Sequence, residues 1–168
     1  SIMDDELNLN TKLFALNGVI GRRDYIVNTF IITIISQLFT SSLLFGKMPA
    51  FDFNSSFFMQ LNDMQKIILI VSILICTPLA FSNATRRLSD IWNKKADFQI
   101  YGIFVVFFLM SILPTFFSFK STWVFCIISA VFSLFLMIKK GEVTGKYPTD
   151  PVKRFNWGAF FATWIWGL

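Results

Sequence analysis

The chain has 168 residues, of which 55% are hydrophobic and 15% charged, with a mean hydropathy of +0.62. Soluble domains carry ~25% charged residues, so this composition predicts one compact membrane domain. The net charge of +5 comes from basic residues set beside apolar runs. There they read as topology signals and contacts to anionic lipid, not to nucleic acid.

Histidine is absent, which removes histidine-based triads, histidine metal sites and imidazole switches together. Cys76 and Cys126 lie in separate apolar runs with no C-x-x-C spacing, and read as small apolar fillers. The N-terminal SIMDDELNLN is acidic and lacks the basic region of an export signal. Residues 1–18 therefore read as an acidic tail ending in a short interfacial segment, Leu13-Phe14-Ala15-Leu16.

The first spanning run is Tyr25–Phe45, 21 uncharged residues, against about 20 needed to cross ~30 Å of hydrocarbon. After it, Asn54-Ser55-Ser56 is a helix-start signal. Phe57, Phe58, Leu61 and Met64 follow at helical spacing and predict a short amphipathic surface helix. The second span runs from Ile67 to about Ala84 and carries Pro78, which removes one backbone bond. Arg86, Arg87 and Asp90 come next at helical spacing, on the same helix as it leaves the membrane. The third span is Phe98–Phe119 and the fourth Thr122–Ile138, joined by a tight turn at Lys120-Ser121.

Twelve basic residues fall on one side of this four-span arrangement, in the N-terminal segment, the Arg86–Lys95 connection and the segment after Ile138. The other side holds Lys47, Lys66 and Lys120. The positive-inside rule then predicts a cytoplasmic N terminus and a return to the cytoplasm after the fourth span. The tail Phe155–Leu168, FNWGAFFATWIWGL, reaches only about 21 Å as a helix. Trp157, Trp164 and Trp166 favour the headgroup boundary, so it reads as an interfacial or re-entrant helix, or as the start of a fifth span. The expected fold is an all-α integral membrane protein: a tail over 1–18, a four-transmembrane-helix bundle over 19–151 and a Trp-rich helix over 152–168.

Three motifs fall in order around these spans. Gly18-Val19-Ile20-Gly21-Arg22-Arg23-Asp24-Tyr25-Ile26 resembles the opening motif G-R-I-x-R-x-E-Y-W of a group of bacterial membrane proteins, the domain of unknown function 805 family. Arg86-Arg87-Leu88-Ser89-Asp90 is similar to its R-R-L-H-D motif after the second span. Gly141-Glu142-Val143-Thr144-Gly145-Lys146-Tyr147, with Asp150-Pro151, resembles its closing stretch. Val19, Ile26 and Ser89 stand where the family pattern has Arg, Trp and His. The resemblance covers roughly residues 14–151 and implies a four-span bacterial inner-membrane protein, without implying an activity.

Within the spans there is no Asp, Glu, Lys, Arg or His, which argues against an ion-coupled transporter. No nucleophile–base pair, metal-ligand cluster or phosphate loop stands out, so no enzyme, catalytic residue, metal or cofactor is expected. Asn28, Gln37 and Asn83 read as hydrogen-bonding glue between helices. The structural motif is assigned to Arg22, Arg23, Asp24, Tyr25, Arg86, Arg87 and Asp90. In a crossed brace, Asp90 accepts from Arg22 or Arg23 and Asp24 from Arg86 or Arg87, with spare guanidinium groups on lipid phosphate. Alternatively, all four arginines are independent headgroup anchors. Function is expected to be that of a small membrane subunit anchoring a larger complex, or itself, with Trp157, Trp164 and Trp166 as docking residues. An anionic-lipid-binding protein is the alternative, and an oligomeric channel lined by Asn28, Ser36 and Gln37 the third reading.

Overall fold

The computed structural model describes residues 12–44, 54–142 and 156–167, the side chains of 43, 44 and 167 excepted. The acidic stretch 1–11 and the part of the closing motif over 143–151 lie outside the described residues. The elements are α1 (Arg22–Leu44), a 3₁₀ turn (Phe58–Gln60), α2 (Asp63–Trp92), α3 (Phe98–Phe116), α4 (Phe119–Ile138) and α5 (Trp157–Gly167). Each of α1 to α4 is long and apolar enough to cross a membrane. The chain is an all-α bundle and, by the length and composition of these helices, a multi-pass membrane protein.

Local chemistry explains where the helices begin and end. α2 starts at Asn62, whose side chain accepts from the Gln65 N–H at 2.8 Å while the Gln65 side chain accepts from the Asn62 N–H at 3.0 Å. This reciprocal box satisfies two of the donors that every helix start leaves open. It also corrects the surface helix expected after Asn54-Ser55-Ser56. Only the 3₁₀ turn forms there, Leu61 is extended, and Met64 belongs to the first turn of α2. Asn93 ends α2 in the left-handed conformation, with φ 51°. Asp97 then opens α3 by accepting from the Ile100 N–H at 3.1 Å. The turn between α3 and α4 is Phe117-Ser118, three residues earlier than the Lys120-Ser121 turn expected; Ser118 is the N-cap of α4, and its carbonyl accepts from the Thr122 hydroxyl at 2.8 Å.

α1 packs chiefly on α2 and α3 on α4, so the bundle consists of two helix hairpins with lighter contact between them. The Phe107 and Phe132 rings stack at 3.8 Å within the second hairpin, and Phe81 meets Phe104 edge-on at 5.2 Å across the seam. Outward-facing residues along the spans, such as Leu109 and Val131, are apolar and exposed. Such a surface suits hydrocarbon, where exposed apolar side chains cost nothing. The buried core is instead gathered at one end, around Ile20, Ile26, Leu88, Ile100, Leu136 and Met137.

Candidate functional site

The end that holds this core also holds the charge. Ten consecutive residues of α2, Ser82 to Ile91, are buried, so the last turns of this helix are covered on every side. Arg86 is 1% exposed, and Arg87 and Asp90 are 0% exposed. Guanidinium and carboxylate groups are almost never fully buried unless paired. Their partners therefore account for the arrangement.

Arg87 takes four partners on three segments: the stretch before α1, its own helix and the end of α4. Its Nε donates to the Leu136 carbonyl at 2.8 Å, one Nη to the Ile20 carbonyl at 3.5 Å and to the Asp90 carboxylate, and the other Nη to the Lys139 carbonyl. Arg22 donates to the Ile138 carbonyl at 3.3 Å. The last carbonyls of any helix lack intrahelical partners and carry partial negative charge. α4 has no basic residue in its own last turn. Arg87 and Arg22 supply from outside the donors and the positive charge that α4 lacks. The planar fork of arginine makes this possible, since lysine presents a single point charge.

Asp90 is gripped from the other side by the chain leaving α4. The Glu142 N–H donates to the Asp90 backbone carbonyl at 3.0 Å. Gly141 is buried so close to Asp90 that a Cβ at this position would overlap its carboxylate. Ahead of α1, Gly18 turns the backbone at φ 93°. Val19, Ile20 and Gly21 are buried just beyond it, and the Ala15 carbonyl accepts from the Ser82 hydroxyl. The three motif stretches, 18–26, 86–90 and 141–142, thus converge on one point.

The crossed brace is present in part. The Asp24 carboxylate acts on Arg86 through its charge, as crossing requires, and the Arg86 Nε also returns to the Ser82 carbonyl of its own helix at 3.2 Å. Asp90, however, has Arg87 of its own helix as an ion-pair partner. The spacing of three residues places the two side chains on one face, so no reach across helices is needed. Burial also removes Arg86 and Arg87 from headgroup phosphate, which the brace and the anchor readings both expected them to meet. Arg23 is exposed and Arg22 half-buried. Tyr25 is buried, with its hydroxyl in hydrogen-bond contact with Thr29 and Ser133.

The Trp-rich tail joins the same assembly. Asn156 caps α5 by accepting from the Ala159 N–H at 3.0 Å, and Ala159, Phe160 and Trp164 pack on the buried core. The Trp164 indole N–H points to the Met137 sulfur at 3.3 Å. At the other end of α5 the Trp166 carbonyl accepts from the Gln37 side chain at 2.7 Å. Gln37 lies about 22 Å along α1 from Arg22, so α5 runs alongside α1 into the bundle. The backbone end of α5 is satisfied there by a side chain of α1. Of the three docking tryptophans, Trp164 is turned inward, while Trp157 and Trp166 remain exposed. Gln37, assigned to a channel stripe in one reading, is taken up by this contact.

Sequence reasoning missed the carbonyls of Ile20, Leu136 and Lys139 as the destination of Arg87. The available signal was an α4 without a cation inside its last turn, followed by Lys139-Lys140 and then Gly141. Among the described residues, no group of three or more His, Cys, Asp or Glu is placed to hold a metal. The chain matches no family model, no curated protein and no solved structure.

Proposed function

We propose that the protein is a small non-enzymatic subunit of a bacterial inner membrane, N terminus cytoplasmic, that anchors or stabilises a larger membrane complex. The observation that carries this reading is the use made of the arginines. Arg87 joins three segments into one fixed end, which leaves a rigid platform and, in the apolar runs, no Asp, Glu, Lys, Arg or His to move with a transported ion. Beside that platform α5 turns Trp157, Phe161 and Ile165 outward, 62%, 56% and 70% exposed. Residues spaced by four along a helix form one continuous stripe, and this one suits a transmembrane helix of a partner subunit.

The test is isolation of tagged wild-type protein and of a W157A/F161A/I165A variant in mild detergent, with the copurifying species weighed by native mass spectrometry. A membrane protein at fixed stoichiometry, lost from the variant, is the expected result. Wild-type protein that carries no protein partner overturns the subunit reading.

A second reading, that the protein binds anionic lipid, is favoured by the exposed side chains of Arg23, Lys139 and Lys140 around the same end. In that case the wild type retains anionic lipid without a protein partner, and K139Q/K140Q loses it. Orientation is tested with a cysteine at Met59, which is 69% exposed, after Cys76 and Cys126 are replaced by alanine. Reaction with an impermeant thiol reagent in intact cells is expected, and protection reverses the topology.

A further inference from the structure

The two hairpins are joined at opposite ends by ties of unequal strength. At the charged end α2 reaches α4 through the Arg87 bonds to the Leu136 and Lys139 carbonyls, and the Glu142 N–H returns to the Asp90 carbonyl. Further along α2, the Phe81 ring packs on Tyr101 and Phe104 at 5.4 and 5.2 Å. At the far end, residues 54–61 lead into α2 and cross to the second hairpin. Ser56 pairs with Ser118 in an isolated antiparallel bridge, and the Phe58 ring lies 5.1 Å from that of Phe116. Between the two ties runs an open groove, lined from all four spans by residues such as Thr29, Ala80, Phe104 and Phe132.

The far tie is a strap with its own internal structure. The Ser56 hydroxyl accepts from the Met59 N–H at 3.1 Å, and the Gln60 side chain donates to the Ser55 and Ser56 carbonyls at 3.3 and 3.2 Å. The Leu61 N–H donates to the Phe58 carbonyl at 3.3 Å. Lys66, in the first turn of α2, holds its ammonium 5.3 Å from the centre of the Phe58 ring. All of these partners belong to the strap or to α2, so they survive when the strap leaves Ser118 and Phe116. That departure gives up a backbone bridge and a ring contact, both uncharged. Parting the charged end would instead separate a buried guanidinium from a buried carboxylate, which costs far more. A structure opens first where its buried contacts are fewest.

The hairpins are built to move as units. α1 packs chiefly on α2 and α3 on α4, and the Phe107–Phe132 stack at 3.8 Å ties the second pair together. From Leu136 back to Ser118, α4 is a lever of about 27 Å, so a rotation of about 10° at the charged end shifts the strap end by about 5 Å. A shift of that size breaks both the bridge and the ring contact while the Arg87 bonds barely lengthen. Such hinge motion between packed units belongs to the ordinary repertoire of proteins.

We propose that residues 54–61 are a latch, and that the hairpins part at this end by pivoting on the Arg87 cluster, which widens the groove toward the membrane. The structure holds the latched form. In the open form Phe58 keeps Lys66 and leaves Phe116, and Ser56 leaves Ser118. The device does not rest on the subunit reading, because it uses neither α5 nor the basic rim.

The test is distance measurement by double electron–electron resonance on the full chain in phosphatidylcholine nanodiscs, with Cys76 and Cys126 replaced by alanine. Nitroxide-labelled p-acetylphenylalanine in place of Met64 and Trp123, both exposed, reports the strap end. The same label in place of Trp92 and Ile138, also exposed, reports the charged end. Two distances are expected at the strap end and one at the charged end. Phe58→Ala should raise the ratio of the longer to the shorter strap-end distance about 5-fold, the factor for one aromatic pair. Antiparallel partners stand about 4.5–5.5 Å apart at Cα, within reach of a disulfide, so oxidised Ser56→Cys/Ser118→Cys should leave the shorter distance alone. A strap-end distance that is single and identical in the wild type, Phe58→Ala and the oxidised pair overturns the proposal. So does a second distance of equal weight at the charged end, which would mean that the whole bundle loosens without a pivot. Should Phe58→Ala fail to fold, the Ser56→Cys/Ser118→Cys protein decides: identical strap-end distributions before and after reduction overturn the latch, and failure to oxidise overturns the bridge on which it rests.

Discussion

Arg87→Gln isolates the contact on which the charged end depends. The substitution takes the Arg87 guanidinium away from the Asp90 carboxylate, which is 0% exposed. Breaking a buried pair in this way costs about 3–5 kcal/mol. The Leu136 and Lys139 carbonyls lose their donor as well, at about 1 kcal/mol or more each where the group stays dry. Gln retains one amide that can serve one of them, so the net expectation is a loss of about 4–6 kcal/mol. Arg87→Lys keeps the charge but not the fork, and is expected to lose about half as much, since it can hold Asp90 or a carbonyl but not four partners. Adding Asp90→Asn to Arg87→Gln removes the stranded charge, so the double variant should be more stable than Arg87→Gln alone by about 2 kcal/mol. Reversible unfolding in mixed micelles of mild detergent and dodecyl sulfate, followed by circular dichroism, measures the wild type, these three variants and the Asp90→Asn variant that completes the cycle. An Arg87→Gln loss below about 1 kcal/mol would be that of an exposed pair and would refute the reasoning, as would strictly additive losses in the cycle.

Gly141→Ala places a methyl group on the Asp90 carboxylate, and because Arg87 holds that carboxylate in place the expected loss is about 1–3 kcal/mol in the same assay. Asn62→Ala removes half of the capping box of α2 and should cost about 1 kcal/mol, with Gln65→Ala adding little once Asn62 is gone. Gln37→Leu takes away the donor to the Trp166 carbonyl; hydrogen exchange at the backbone of α5 should quicken while α1 to α4 stay protected, and unchanged protection of α5 would show that the contact does not hold it. Asp97 is held below the usual carboxylate range, first by the Ile100 N–H and then by Lys94. A depressed folded value means that its contribution is present above the unfolded carboxylate value of about 3.9 and is lost as pH falls through the folded value. The first turn of α3 should therefore fray in acid below about pH 4, and Asp97→Asn, which still caps, should remove that pH dependence in hydrogen exchange at Ile100 and Tyr101.

Much of the fold is legible in the sequence because membrane spans are a one-dimensional property. A run without charge that is long enough to cross hydrocarbon is visible from its own residues, and α1 to α4 coincide with four such runs. The continuation of α2 through Arg86, Arg87 and Asp90 is equally local, since helical spacing is a matter of neighbours in the chain. The 3₁₀ turn at Phe58–Gln60 is less so. The apolar spacing of Phe57, Phe58, Leu61 and Met64 matches a helix, but Asn62 and Gln65 form a stronger start signal inside that same stretch. Two reciprocal hydrogen bonds outweigh a periodicity that buries little on a membrane surface.

The destination of the charged groups is the part that linear reading loses. A basic residue at the end of an apolar run looks like a headgroup anchor, because the sequence displays only the residues next to it. What covers Ser82 to Ile91 comes from Ile20 and from Leu136 and Lys139, segments distant along the chain. The contacts to Leu136 and Lys139 answer a shortage that is itself local: the unpartnered carbonyls at a helix end. α4 has no cation in its last turn and receives Arg87 and Arg22. α5 ends alongside α1 and receives Gln37. In hydrocarbon each such carbonyl left open is costly, so helix ends and polar side chains have to be matched as two sides of one account. Matched that way, Arg87 and Gln37 are the long donors available to the two helix ends that lack them.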